Sequence, residues 1–267
     1  MNLVTCLPLP AEIVSRILAV NAALLFVYMT FWFIAARLRK RLDTVDIAWG
    51  LGFVLVAWSA ALQRHSTRSW VIAGLVTIWG VRLATHIYRR SKTKKEDPRY
   101  EELARKWKGN FWLRAYGSIF LLQGFLILIV SLPVVMATNH QLHGWAWLTI
   151  LGAVVWLKGF VIEALADRQL AQYLRVKDRP KVLQTGLWKY SRHPNYFGEL
   201  LQWWGVGIIA LQARHGWVGL TGPLVLSILI VFVSGIPPIE KRRAKDAAYR
   251  AYQKKTSPLI LWPQKKT

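Results

Sequence analysis

Seven stretches of this sequence, at about residues 12–36, 46–63, 70–88, 111–137, 144–165, 195–213 and 217–238, are long and apolar enough to read as membrane spans. No other feature restricts the fold so strongly. A spanning helix needs roughly 20 mainly apolar residues to cross a hydrocarbon core about 30 Å thick. Within lipid every backbone N–H and C=O must be bonded internally, which leaves only helices and closed barrels. Windows this long and this continuously apolar are helical, so the expected fold is all-α: a seven-transmembrane-helix bundle. Composition agrees, since 54% of the 267 residues are hydrophobic and 15 are Trp, far from a soluble domain of this size.

The basic residues then orient the bundle. Connections 37–45, 89–110 and 166–193 carry four, nine and seven Lys/Arg, and the tail 239–267 carries nine. The alternate connections 64–69, 138–143 and 214–216 carry two, none and one. This asymmetry predicts an outside N-terminus and a cytoplasmic C-terminus. It also accounts for the net charge of +23 as topology signal and attraction to anionic membrane lipids, so nucleic acid is not an expected partner. The start "MNLVTCLPLPAEIVSR" lacks the pattern of a cleavable signal peptide. Cys6 is the single cysteine, which excludes an intramolecular disulfide or a Cys-based metal cluster. There is no internal repeat, so residues 1–267 read as one integral membrane domain. The longer connections lie on the predicted cytoplasmic side, with an amphipathic helix expected near 98–107 and a tail helix running to about 254. An extended segment then returns to the membrane surface.

Charged side chains inside a membrane cost about 2.5–3.5 kcal/mol near its centre and mark functional candidates. Lys and Arg close to a boundary reach water by snorkelling, which the shorter Asp46, Glu163 and Glu199 do less well. Asn195, Glu199 and Trp203 stand at i, i+4 and i+8, one face of a helix, with Gln202 beside them. Glu163 and Asp167 form another i, i+4 pair. Arg82, His86 and Arg89 make a third stripe, and Asp46 with Trp49 begins the second span. Interhelical hydrogen bonding alone is one reading of these faces. A lined cavity opening toward the cytoplasm is the other, and transport is not expected because no repeat is present. In "SRHPNYFGE" Pro194 suits the first helical position, and Asn195 sits at the positive end of the helix dipole. Arg192 and His193 precede it, making a corner suited to phosphate that Arg99, Arg175 and Arg179 extend.

"GLWKYSRHPNYFGELLQWWG" resembles the C-terminal signature of the steroid 5-alpha-reductase family of membrane enzymes, in particular its bacterial subgroup of unknown function. The resemblance continues through "VDIAWGLGFVLVAW", "WGVRLATHIYRR" and "EDPRY" and covers roughly residues 44–263. It implies seven helices, NADPH in a cytoplasm-facing cavity, and reduction of a carbon–carbon double bond conjugated to a carbonyl in a lipid-like substrate. It further implies the bacterial inner membrane. By motif, Asn195, Glu199 and Trp203 match cofactor-side positions of the sixth helix, with Arg192, His193 and Tyr196 in the same signature. Asp167 matches a cofactor-contacting Asp, with Glu163 one turn earlier. Arg175 lies near a basic family position, and Tyr249 or Tyr252 near a Tyr at the adenine nucleotide. At the catalytic end "THIYRR" stands where the family has "HYFHR", so His86 or Tyr88 is expected to polarise the carbonyl. No Gln-Glu pair is present, and Asp46 is the carboxylate offered in its place. "YSRHPNYFG", Glu240 and the Tyr249–Tyr252 stretch are also similar to the isoprenylcysteine carboxyl methyltransferases, which implies S-adenosylmethionine as the alternative cofactor. No metal is expected.

Overall fold

The computed structural model describes residues 11–92, 107, 109–138 and 146–265, and every regular element among them is a helix. In chain order these are α1 (Ala11–Arg39), α2 (Thr44–Arg64), α3 (Thr67–Ser91), α4 (Phe111–Ala137), α5 (Ala146–Arg175), α6 (Pro194–Ala210), α7 (Gly216–Arg243) and α8 (Ala247–Lys255). All but α6 and α8 are long and apolar enough to cross a membrane, so the chain is an integral membrane protein. The sixth sequence window, 195–213, is α6. Its 17 residues span about 26 Å, short of the roughly 30 Å core. The expected helix near 98–107, and Arg99 with it, lie outside the described residues.

Local chemistry explains the boundaries. Ser66 opens α3 with a capping box, in which the side chains of Ser66 and Ser69 each accept from the other's backbone N–H. Asn110 caps α4 by accepting from Leu113 N–H at 3.1 Å. Helix α5 runs ten residues beyond the apolar window, because 166–175, "ADRQLAQYLR", contains neither Gly nor Pro and is rich in helix formers. Helix α6 stops at Ala210, where the chain turns tightly. A Cβ on Gly216 would fall 1.9 Å from the Ala210 carbonyl oxygen, so only glycine fits there. The tail helix is broken between Arg243 and Ala247, since Asp246 adopts an extended backbone and caps α8 through Ala248 N–H at 2.8 Å. Helices α4 and α7 each contain a π-turn, at Tyr116–Leu121 and Leu229–Val233.

The chain divides into two compact units. The first contains α1 to α4 with Ala210–Gly219. At its centre α2 and α3 approach through paired glycines, where a Cβ on Gly80 would meet the Gly50 carbonyl oxygen at 2.6 Å. Trp49, Phe53 and Trp79 stack edge-on beside this contact, with centroid separations of 5.0 and 5.5 Å. The second unit contains Trp145–Ile209 and Leu220–Thr267.

Candidate functional site

Two glycine pairs bring α5 and α6 of the second unit together. A Cβ on Gly152 would stand 2.5 Å from the Gly205 carbonyl oxygen, and one on Gly159 would stand 2.6 Å from that of Gly198. Each pair is seven residues from the next on its own helix, so both lie on one seam. Small residues allow such close backbone approach in membranes. The approach sets polar groups of the two helices side by side. Gln202 Nε2 donates to Glu163 Oε2 at 2.6 Å and also to the Gly198 carbonyl at 3.3 Å. Glu163 and Gln202 are 2% exposed, and Asp167, Glu199 and Trp203 are buried as well. Gln202 Oε1 is buried without a hydrogen-bond partner among the described residues. Asn195 and Tyr196, in the first turn of α6, are half-buried.

The corner preceding α6 is built around one carboxylate. Arg192 grips Glu240 with two bonds, Nε to Oε1 at 2.7 Å and a terminal nitrogen to Oε2 at 3.0 Å. His193 Nε2 and the Tyr249 hydroxyl each lie 3.0 Å from Oε1, and Gln253 Nε2 donates to Oε2 at 2.6 Å. A carboxylate only accepts, so His193 carries its proton on Nε2. The remaining terminal nitrogen of Arg192 donates to the carbonyls of Gln253 and Thr256, at 3.0 and 2.5 Å. The phosphate-ready cation expected from the sequence is therefore engaged here in joining α6, α7 and α8. Tyr252 donates to the Trp188 carbonyl and, at 3.1 Å, to that of Ser191. Trp188 in turn donates from Nε1 to the Ala166 carbonyl at 3.1 Å, which returns the corner to α5. Burial pushes both the Tyr249 and Tyr252 phenols well above the usual tyrosine range, and the Glu240 charge adds to the push at Tyr249. Both therefore remain protonated donors at neutral pH.

Of the residues singled out by sequence, Glu163, Asp167, Arg192, His193, Asn195, Tyr196, Glu199, Trp203, Tyr249 and Tyr252 fall in this unit, on α5, α6, α8 and the turn before α6. Arg175 is also there but exposed, on the last turn of α5. Asp46, His86 and Tyr88 belong to the first unit. Asp46 is in the first turn of α2, and His86 and Tyr88 are in the last turns of the antiparallel α3, so the three share one end of that helix pair. His86 is half-buried, whereas Tyr88 is 44% exposed. The methyltransferase resemblance named Glu240 together with these motifs but gave it no partner, and sequence reasoning overlooked Gln253. One signal pointed to Glu240: it is the single carboxylate between Glu199 and Asp246.

Comparison with known proteins adds three findings. A family model described as "Protein of unknown function (DUF1295)" matches residues 31–256. An uncharacterized protein of Schizosaccharomyces pombe is 27% identical, over 71% of this chain and 62% of its own length. The steroid 5-alpha-reductase DET2 of Solanum lycopersicum is 28% identical over 118 residues, 44% of each chain. The matched region is thus less than two thirds of either relative's length. No solved structure matches. The family match runs unbroken from α1 into α8 and takes in the glycine seam, the buried carboxylates and the Glu240 corner, so the chain belongs to the DUF1295 family.

Proposed function

We propose that this chain is an NADPH-dependent membrane reductase of a carbon–carbon double bond conjugated to a carbonyl, acting on a lipid-like substrate of steroid or isoprenoid type. The observation that carries this reading is the set of buried polar groups at the α5–α6 seam: Glu163, Asp167, Glu199 and Gln202, on two apolar helices where structural need for them is small. Similarity to a steroid 5-alpha-reductase over 118 residues supplies the reaction class. The reading includes α6 as a seventh span, with the C-terminus in the cytoplasm.

The residues fit a dinucleotide. A buried carbonyl oxygen such as Gln202 Oε1 costs on the order of 1–3 kcal/mol unless a donor reaches it, and a carboxamide N–H is such a donor. Glu163, Asp167, Asn195, Glu199 and Trp203 would hold the nicotinamide half. Arg175, Arg99, Tyr249 and Tyr252 would serve the phosphates and adenine nucleotide. Arg192 and His193 position the corner through Glu240. When bound, NADPH supplies a hydride to the β-carbon of the enone. The chain's own part is to stabilise the negative charge that develops on the carbonyl oxygen, by a donor aimed at it in a dry site, and to deliver a proton to the α-carbon. His86, half-buried, and Tyr88, 44% exposed, would be the candidate donors, with Asp46 to orient the one that acts.

One feature favours a second reading. Arg192, His193, Glu240 and Tyr249 meet at a single node, the same residues on which similarity to S-adenosylmethionine-dependent methyltransferases rests. A thermal-shift experiment on the detergent-purified chain separates the two. NADPH should raise the midpoint, and Glu199→Ala should abolish the rise without lowering the ligand-free midpoint by more than a few degrees. Stabilisation by S-adenosylmethionine and none by NADPH would sink the reductase.

A further inference from the structure

Residues 256–265, after α8, form no helix, yet they are fixed at several points. Arg192 N–H donates to the Ser257 carbonyl at 2.9 Å, Trp262 N–H to that of Tyr190 at 3.1 Å, and Lys265 N–H to that of Lys255 at 3.0 Å. Ser191 Oγ donates to the Leu259 carbonyl at 2.7 Å, and Gln264 Nε2 to Thr256 Oγ1 at 2.9 Å. The segment is thus held in one shape while Ile260 and Trp262 point outward, 56% and 67% exposed. Tyr190, bonded to Trp262, is 41% exposed. A cluster of large apolar side chains held in solvent marks an interaction surface.

Position and charge identify the partner. Arg192 bonds both Ser257 and Glu240, and Glu240 lies one turn before the end of the α7 span at Arg243. The segment is therefore anchored where α7 leaves the apolar region of the membrane. Beside it runs a groove of about 370 Å³ lined by Lys254, Lys255, Lys265 and Trp262, with no Asp or Glu among its lining residues. The guanidinium of Arg192, at one wall, is already taken by Glu240. The three lysines have no ion-pair partner among the described residues. Tryptophan favours the head-group level of a bilayer, and clustered lysines at a membrane boundary attract anionic head groups.

We propose that residues 254–265 form a binding site for an anionic phospholipid. The lysines face the lipid phosphate, and Ile260 and Trp262 enter the boundary between head groups and acyl chains. Because Ser191, Arg192 and Tyr190 hold this segment, a lipid bound there steadies the turn from which α6 begins. Lipid binding there does not depend on which reaction the chain carries out.

The test places an environment-sensitive fluorophore on Ile260→Cys in a Cys6→Ser background of the full chain, reconstituted in vesicles. In phosphatidylglycerol vesicles the emission should shift to the blue and be quenched by lipids labelled at head-group depth. In phosphatidylcholine both effects should weaken. Neutralising Lys254, Lys255 and Lys265 to Gln should lower the docking equilibrium constant by roughly fivefold per lysine. A label in water in both lipids overturns the proposal, as does equal docking in both that ignores the lysines. Reversal by millimolar inorganic phosphate overturns it too, because the groove would then be a site for a free anion. The lipid swap needs no lysine variant, so it stands even where the triple substitution fails to fold.

Discussion

The two units each contain an arginine gripping a carboxylate with two bonds, and the two pairs do different things. In the first unit Arg41 donates to Asp43 at 3.1 and 2.6 Å. The partners are two residues apart, and the Arg41 side chain is 34% exposed. That pair staples the short turn between α1 and α2, and Arg41 also donates to the Ser91 carbonyl at the end of α3, at 3.3 Å. In the second unit Arg192 and Glu240 are 48 residues apart, with side chains only 10% and 15% exposed, and His193, Tyr249 and Gln253 converge on the same carboxylate. Asp43 is as shielded as its counterpart, with its side chain 10% exposed, but the Arg41 cation keeps a third of its surface open to water. In the second, donors from several elements meet one carboxylate and both partners are mostly shielded from water, so removing one member leaves a largely buried charge. The same chemistry makes a two-residue clamp with a water-exposed cation in one place and a node of five side chains in the other.

Glu240→Ala is the strongest way to break this comparison. It strands the Arg192 cation and should cost about 3–5 kcal/mol, read as a large drop in the unfolding midpoint in detergent; Glu240→Gln should recover part of it. Asp43→Ala in the first unit should cost less, because the Arg41 cation it releases is one-third exposed to water. Equal losses from the two Ala variants would erase the distinction.

The glycine contacts sharpen it further. Gly198→Ala places a Cβ 2.6 Å from Glu163 N, and Gly80→Ala intrudes equally on Gly50. Overpacking of this kind costs about 1–3 kcal/mol in either unit. Only Gly198→Ala also separates Glu163 from Gln202, so it alone should lower NADPH retention measured on purified protein. Retention unchanged in Gly198→Ala would remove the seam from the cofactor site.

A smaller effect belongs to Tyr252→Phe, which deletes the bonds to the Trp188 and Ser191 carbonyls at about 1 kcal/mol. The pH dependence follows from the same groups. The folded-state phenols of Tyr249 and Tyr252 are raised above the unfolded value of about 10, so their contribution is complete below that pH and disappears as pH rises toward the folded value. The midpoint should decline above about pH 10, and the Tyr249→Phe, Tyr252→Phe double variant should decline less steeply. Parallel curves would mean the phenols do not titrate with unfolding.

Much of the molecule was legible before any coordinates. Long apolar windows marked the spans, because a helix in lipid is a local consequence of composition. The i, i+4 rows at Glu163–Asp167 and Asn195–Glu199–Trp203 were visible for the same reason, since helical period alone sets their face. The end of α6 at Ala210 was less so, because a tight turn at Gly216 overrides continuing hydrophobicity.

What no window disclosed is which distant groups meet. Gly159 and Gly198 look alike in the sequence to Gly74 or Gly117, which have open space beside them; only helix packing makes the first two indispensable. Arg192 read as a free cation, and Glu240 as a lone acid followed by Lys241, Arg242 and Arg243. Their pairing depends on how α7 and α8 return past α6. Composition and period act over a few residues and so determined the helices and their polar faces. Contacts across tens of residues depend on the path of the whole chain, and these the tertiary structure alone decided.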